Sequence, residues 1–186
     1  MRFTPLELPG AWLVEIEPRR DDRGYFARAW CRQEMAAAGL NTDLVQINEA
    51  VSIRQGTVRG MHYQKAPHAE VKLVRCLRGA MFDVIVDVRP ESTTYGKWLG
   101  LELSANDGRM LYIPEGFAHG YQTLCDDTWM MYQTSHVFAP ESATGLPFDD
   151  PALAINWPLP VTVVSSQDQQ WPGLRSVLPE RAATNN

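Results

Sequence analysis

Residues 59–79 read RGMHYQKAPHAEVKLVRCLRG, placing His62, His68, Glu70 and Lys72 within eleven positions. Groups of these types do one of two things. Imidazoles and carboxylates bind divalent cations, whereas an imidazole with an ammonium nearby can move a proton and stabilise the oxyanion that forms beside a carbonyl. A metal site wants three or more protein ligands. A proton-transfer site wants a base, a partner that orients it, an acid on the far side and a donor to the developing charge. Neither set fits on one strand, so other parts of the chain must converge on this stretch.

The elements that position these groups read as strands. Apolar and β-branched runs recur at 11–17, 43–53, 71–77, 80–88, 98–104, 109–113 and 128–138, several alternating with period two. Gly, Pro, Asn and Asp punctuate them at 78–79, 89–92, 104–108 and 125–127, as expected for antiparallel strands joined by turns. The one good interior helix is RQEMAAAGL at 32–40, and a second short helix is expected after Ser165. In the 71–77 run, Lys72 falls on the face opposite Val71, Leu73 and Arg75, which suits burial beside an anion. The fold class is therefore all-β, a sandwich or barrel with a few short helices.

At 186 residues, 45% hydrophobic and 21% charged, the chain suits one core, and a single domain over 1–178 with a frayed tail at 179–186 is expected. A net charge of −5 argues against nucleic acid or an anionic membrane as the main partner. There is no membrane-length apolar run or signal-peptide pattern, and Cys31, Cys76 and Cys125 form no C-x-x-C pair. Reduced thiols in the cytoplasm are the expectation.

Two spaced patterns resemble those of cupin jelly rolls, the double-stranded β-helix. Gly60, Ala66, His68, Lys72 and Gly79 occupy the positions of the first, and Gly108, Pro114, Gly116, His119 and Thr123 those of the second. Ala66 and Lys72 stand where metal cupins carry ligands, and an ammonium repels a cation. No metal is expected, and the proton-transfer alternative gains.

The segments DDRGYFAR (21–28), VQINEA (45–50), RGMHYQ (59–64), KLVRCLRGAMFDVIVDVR (72–89), IPEGFAHGY (113–121) and DDPALAINWP (149–158) resemble dTDP-4-dehydrorhamnose 3,5-epimerases. The resemblance implies a cofactor-free cupin homodimer that inverts C3 and C5, or C3 alone, of a nucleotide-linked 4-keto-6-deoxyhexose through an enolate, in deoxysugar biosynthesis. It makes His62 the proton acceptor, Asp168 its orienting partner, Lys72 the donor to the enolate oxygen and Tyr132 the proton donor. Each role suits its group: a carboxylate fixes the imidazole tautomer, and inversion needs the acid across the ring from the base. For the nucleotide diphosphate it implies Arg23, Gln46, Asn48, Arg59 and His119, with Tyr25 or Phe26 stacking on the base and one of the two facing the pocket.

Some substrate positions depart from the family pattern. Arg28 replaces a glutamate, Ala143 and Thr144 a Glu-Arg pair, Gln167 a lysine and Phe138 a tyrosine. A guanidinium at position 28 reaching the base would suit the acceptors of cytosine better than the N3–H of thymine, so weak preference for thymidine is expected. A ketoisomerase and a non-catalytic sugar-nucleotide-binding cupin are the alternatives on the same fold.

Overall fold

A computed structural model describes residues 1–177; the tail expected to fray lies outside the described residues. The strands are β1 (Arg2–Pro5), β2 (Trp12–Glu15), β3 (Arg19–Asp21), β4 (Gly24–Phe26), β5 (Gln46–Ser52), β6 (Val58–Gln64), β7 (Lys72–Arg78) and β8 (Ala80–Asp87). They continue with β9 (Trp98–Ser104), β10 (Arg109–Ile113), β11 (Phe117–Thr123), β12 (Thr128–Thr134) and β13 (Ala143–Gly145). Helices α1 (Arg32–Ala37) and α2 (Leu174–Val177) are short, and α2 begins later than the sequence suggested.

One sheet has the order β1-β2-β10-β7-β12-β5 and the other β13-β6-β11-β8-β9, with antiparallel pairing throughout; this is the cupin jelly roll. Period-two alternation decides which residues meet between the sheets. Val74, Cys76, Leu111 and Met130 from the first pack with Met81, Ile85, Leu103 and Tyr121 from the second. The outer faces are covered too. Leu73, Met110 and Tyr112 pack on Met35 of α1, while Met61, Val84 and Ala118 pack on Leu146, Leu153 and Leu174 from the C-terminal segment.

Between His119 and Tyr121 of β11 the partner on β6 moves from His62 to Arg59, so β6 carries an extra residue there. Three positions apart in a regular strand, Arg59 and His62 would face opposite sides; the bulge lets both line the same cavity. Glycine makes the crossing possible. A Cβ on Gly60 would sit 2.5 Å from the Gly120 Cα, and its φ of +137 is one that L side chains rarely adopt.

The hairpin of β3 and β4 joins neither sheet.

Candidate active site

A cavity of about 790 Å³ is lined by strands of both sheets and by the C-terminal segment. His62, Asp168, Lys72 and Tyr132 all line it. His62 stands on β6 with its side chain 44% exposed, and its Nε2 lies 2.6 Å from Asp168 Oδ1. Asp168 reaches it from the C-terminal segment, where its own backbone N–H donates to Ser165 Oγ. Its carboxylate also accepts the Gly60 N–H at 3.3 Å and the Trp171 indole N–H at 3.2 Å. Burial pushes the Asp168 carboxyl up, but the His62 hydrogen bond and charge, with those two donors, outweigh it and hold it below the usual carboxylate range. An anionic Asp168 makes Nε2 the donor in the neutral ring. Nδ1 is then the nitrogen free to receive a proton.

Lys72 opens β7 with only 8% of its side chain exposed. Its ammonium is 3.2 Å from Glu70 Oε1 and donates to the His62 carbonyl at 3.2 Å. Tyr132 lies on β12, the strand paired with β7. Its phenol is pushed up, first by burial and then by the Glu70 charge, with Arg59 opposing, so it keeps its proton at neutral pH. His62 belongs to one sheet and Lys72 and Tyr132 to the other. The candidate base and acid therefore stand on opposite walls.

His119 is the cross-strand partner of His62, and its Nε2 lies 2.6 Å from the fully buried Asp83 Oδ1. Arg59 is braced by Ser52 Oγ and the Val51 carbonyl, each at 3.1 Å. Gln46 donates to Asn48 Oδ1 and accepts the backbone N–H of Phe138, tying the rim to β5. Ala143, Thr144 and Gln167, the positions that lose charge relative to the family pattern, line the same cavity.

Four expected substrate contacts lie elsewhere. Arg23, Tyr25, Phe26 and Arg28 do not line this cavity, because the ribbon carrying the first three is attached to neither sheet. Arg23 pairs with Asp21, and Phe26 is 73% exposed, so neither aromatic faces the pocket of its own chain. Arg28 pairs with Glu34, which also holds the N-terminal ammonium at 2.6 Å. The expectation that Arg28 selects the base has no support within one chain.

His68 also lies off the cavity, with its Nδ1 2.8 Å from Ser142 Oγ. Among the described residues no three His, Cys, Asp or Glu side chains form a group able to hold a metal ion. Sequence reasoning missed Glu70 as the partner of Lys72, Asp83 behind His119, and Trp171 beside His62. Only Glu70 left a signal, a carboxylate two positions before an inward lysine; Asp83 is 36 positions from its histidine.

The jelly roll and its polar-lined cavity are those of a cupin-fold enzyme. The model of the family described as dTDP-4-dehydrorhamnose 3,5-epimerase matches residues 5–176, and the chain belongs to that family. It is an epimerase of deoxysugar biosynthesis. The dTDP-4-dehydrorhamnose 3,5-epimerase of Sinorhizobium fredii is 49% identical over 179 residues, which cover 94% of this chain and 90% of that protein. The Bacillus anthracis enzyme of that name, crystallised with TDP and PPi, superposes with a TM-score of 0.90 at 36% identity, covering 92% of this chain and 98% of its own. A 3'-monoepimerase from Streptomyces bikiniensis, in complex with dTDP-quinovose, superposes with a TM-score of 0.86 at 33% identity, covering 92% and 87%.

Proposed function

We propose that the chain epimerises a nucleoside-diphosphate-linked 4-keto-6-deoxyhexose, of the dTDP class, by abstraction and redelivery of a proton beside the ketone. The observation that carries this reading is the placement of the His62–Asp168 pair on one wall and of Lys72 and Tyr132 on the other. His62 Nδ1 takes the proton from carbon while its electron pair moves into the enolate, and Asp168 stabilises the imidazolium. Lys72 donates to the enolate oxygen, which carries more charge in the transition state than in the ketone. Tyr132 returns a proton to the opposite face. Arg59, His119, Gln46 and Asn48 hold the nucleotide diphosphate.

C3 and C5 both flank the ketone, and inversion at both is the primary reading. Inversion at C3 alone is the second, favoured by Phe138, which sits at the rim without the hydroxyl of the family tyrosine. Deuterium incorporation at C3 and C5 of dTDP-4-keto-6-deoxyglucose in D₂O separates them. His62→Ala is expected to abolish exchange at both carbons, and exchange retained by that variant refutes the reading.

The single domain works as a cytoplasmic homodimer. Burial pushes the Cys76 thiol up to about 11, and all three cysteines are free, which suits a reducing compartment. No helix among the described residues is long and apolar enough to cross a membrane. Strand β5 forms a sheet edge whose outer face exposes Ile47 and Val51, and Ile53 follows it at 73% exposure. With the β3–β4 ribbon, this edge offers apolar surface for a second copy to cover. Arg23, Tyr25, Phe26 and Arg28 act on substrate only across such a dimer.

A further inference from the structure

We infer that Glu70 is a positioning residue for the epimerisation, aiming the Lys72 ammonium through a buried ion pair and supplying the negative charge that Lys72 and Tyr132 both face. This rests on the reading in which Lys72 holds the enolate oxygen. An ammonium has three donors. One is committed to the His62 carbonyl at 3.2 Å, and Glu70 Oε1 draws the ammonium as an ion-pair partner at 3.2 Å, which narrows the directions left for a substrate oxygen. The side chains of Lys72 and Glu70 are only 8% and 10% exposed, so each charge, largely removed from water, has the other as its compensating partner.

Glu70 is itself held. Its Oε2 accepts from Gln64 Nε2 at 3.3 Å, and Gln64 also accepts the Ala139 backbone N–H at 2.6 Å, fastening the loop beside Phe138. Charged and titratable groups of the neighbouring elements share its cavity. Lys72 faces it on its own segment, Arg59 and His62 belong to β6, Tyr132 to β12, and Asp168 stands behind His62. The carboxylate therefore does two things with one charge. It holds the Lys72 ammonium in place as an ion-pair partner at 3.2 Å, and it disfavours ionisation of the Tyr132 phenol, so that group enters the reaction with its proton on. It also limits the cost of the cavity before substrate arrives, because the pair is neutral until the enolate forms.

The test is the pH dependence of C3 exchange in wild type, Glu70→Gln, Glu70→Asp and Lys72→Gln. Glu70→Gln keeps the shape and removes the charge. The alkaline limb of kcat/KM is expected to move down, since removing the Glu70 charge takes away one of the causes that hold the Tyr132 phenol up. Glu70→Asp retains the charge, so the rate falls while the limb stays near that of wild type. A Glu70→Gln profile that superimposes on wild type overturns the inference, as does a Glu70→Asp limb displaced as far as that of Glu70→Gln. Lys72→Gln separates the two levels. If it exchanges like wild type, the enolate role of Lys72 fails; if it is inactive while Glu70→Gln keeps the wild-type profile, the inference about Glu70 alone fails.

Discussion

Replacing Asp168 with asparagine changes one atom behind the candidate base. In the wild type, Oδ1 accepts from His62 Nε2 at 2.6 Å and Oδ2 accepts the Gly60 N–H at 3.3 Å. An asparagine cannot accept at both positions. If its amide nitrogen faces Gly60, two donors oppose each other in a site where the residue is 3% exposed. If it faces His62, the ring must present an unprotonated Nε2, and the proton moves to Nδ1, the nitrogen that should receive one from carbon. Both outcomes remove the charge that stabilises the imidazolium. Loss of base catalysis is worth about 10²- to 10⁴-fold, so a fall near 10³, about 4 kcal/mol of barrier, is the expected size. Ground-state affinity for the nucleotide should move by less than about threefold, because the interaction lost is one made in the transition state. Proton NMR of the C3 and C5 signals in D₂O reads the rate, and titration with dTDP reads affinity. An Asp168→Asn enzyme that exchanges within about threefold of wild type would remove Asp168 from the mechanism.

Tyr132→Phe should retain exchange at the carbon facing His62 while inversion falls by about 10²-fold or more, since the base still works and the acid is gone; comparing deuterium wash-in with product formation checks this. Asp87 is held at about 2: burial raises it, but the Arg89, Ser92 and Thr94 hydrogen bonds outweigh that. Its folded value lies below the ordinary 3.8, so its stabilisation is full above about pH 4 and is lost as pH falls through about 2. Asp87→Asn should cost about 2 kcal/mol at pH 7 and less at pH 3, by urea unfolding at the two pH values. In the proposed dimer, Val51→Lys on the exposed face of the β5 edge should shift sedimentation velocity toward monomer; a dimer that persists in the variant would move the interface elsewhere.

What the sequence made legible followed the physics of one-sided burial. Strands β2, β5, β8, β9, β10 and β12 fall within the expected runs, β7 runs one residue past its own into the expected turn, and α1 fills most of 32–40. Strands β6 and β11, which carry His62 and His119, have no such alternation. Every residue of β11 is buried and five of the seven in β6 are, because a cavity or core lies on one face and the C-terminal segment on the other. The glycines and the bulge break the parity further. The family resemblance, rather than periodicity, pointed to His62 and Tyr132, which line the cavity together with Lys72. The β3–β4 ribbon shows the opposite failure. Its residues matched a motif, but nothing local told which surface they serve, because contacts between ribbon and sheet are tertiary or intermolecular.

The candidate acid and base sit on different sheets, so the gap between them is the thickness of a sandwich rather than a distance within one strand. That thickness is maintained by Val74, Met130, Ile85 and Tyr121, which fill the space between the sheets. Stereochemical choice thereby becomes a function of core volume. A smaller side chain in this layer, such as Ile85→Ala, lets the walls close and changes how a pyranose ring reaches each of them, although Ile85 lines no part of the cavity and carries out no proton transfer. The ratio of C3 to C5 exchange in such a variant would report on packing, and regiochemistry in this fold could drift through substitutions in its interior.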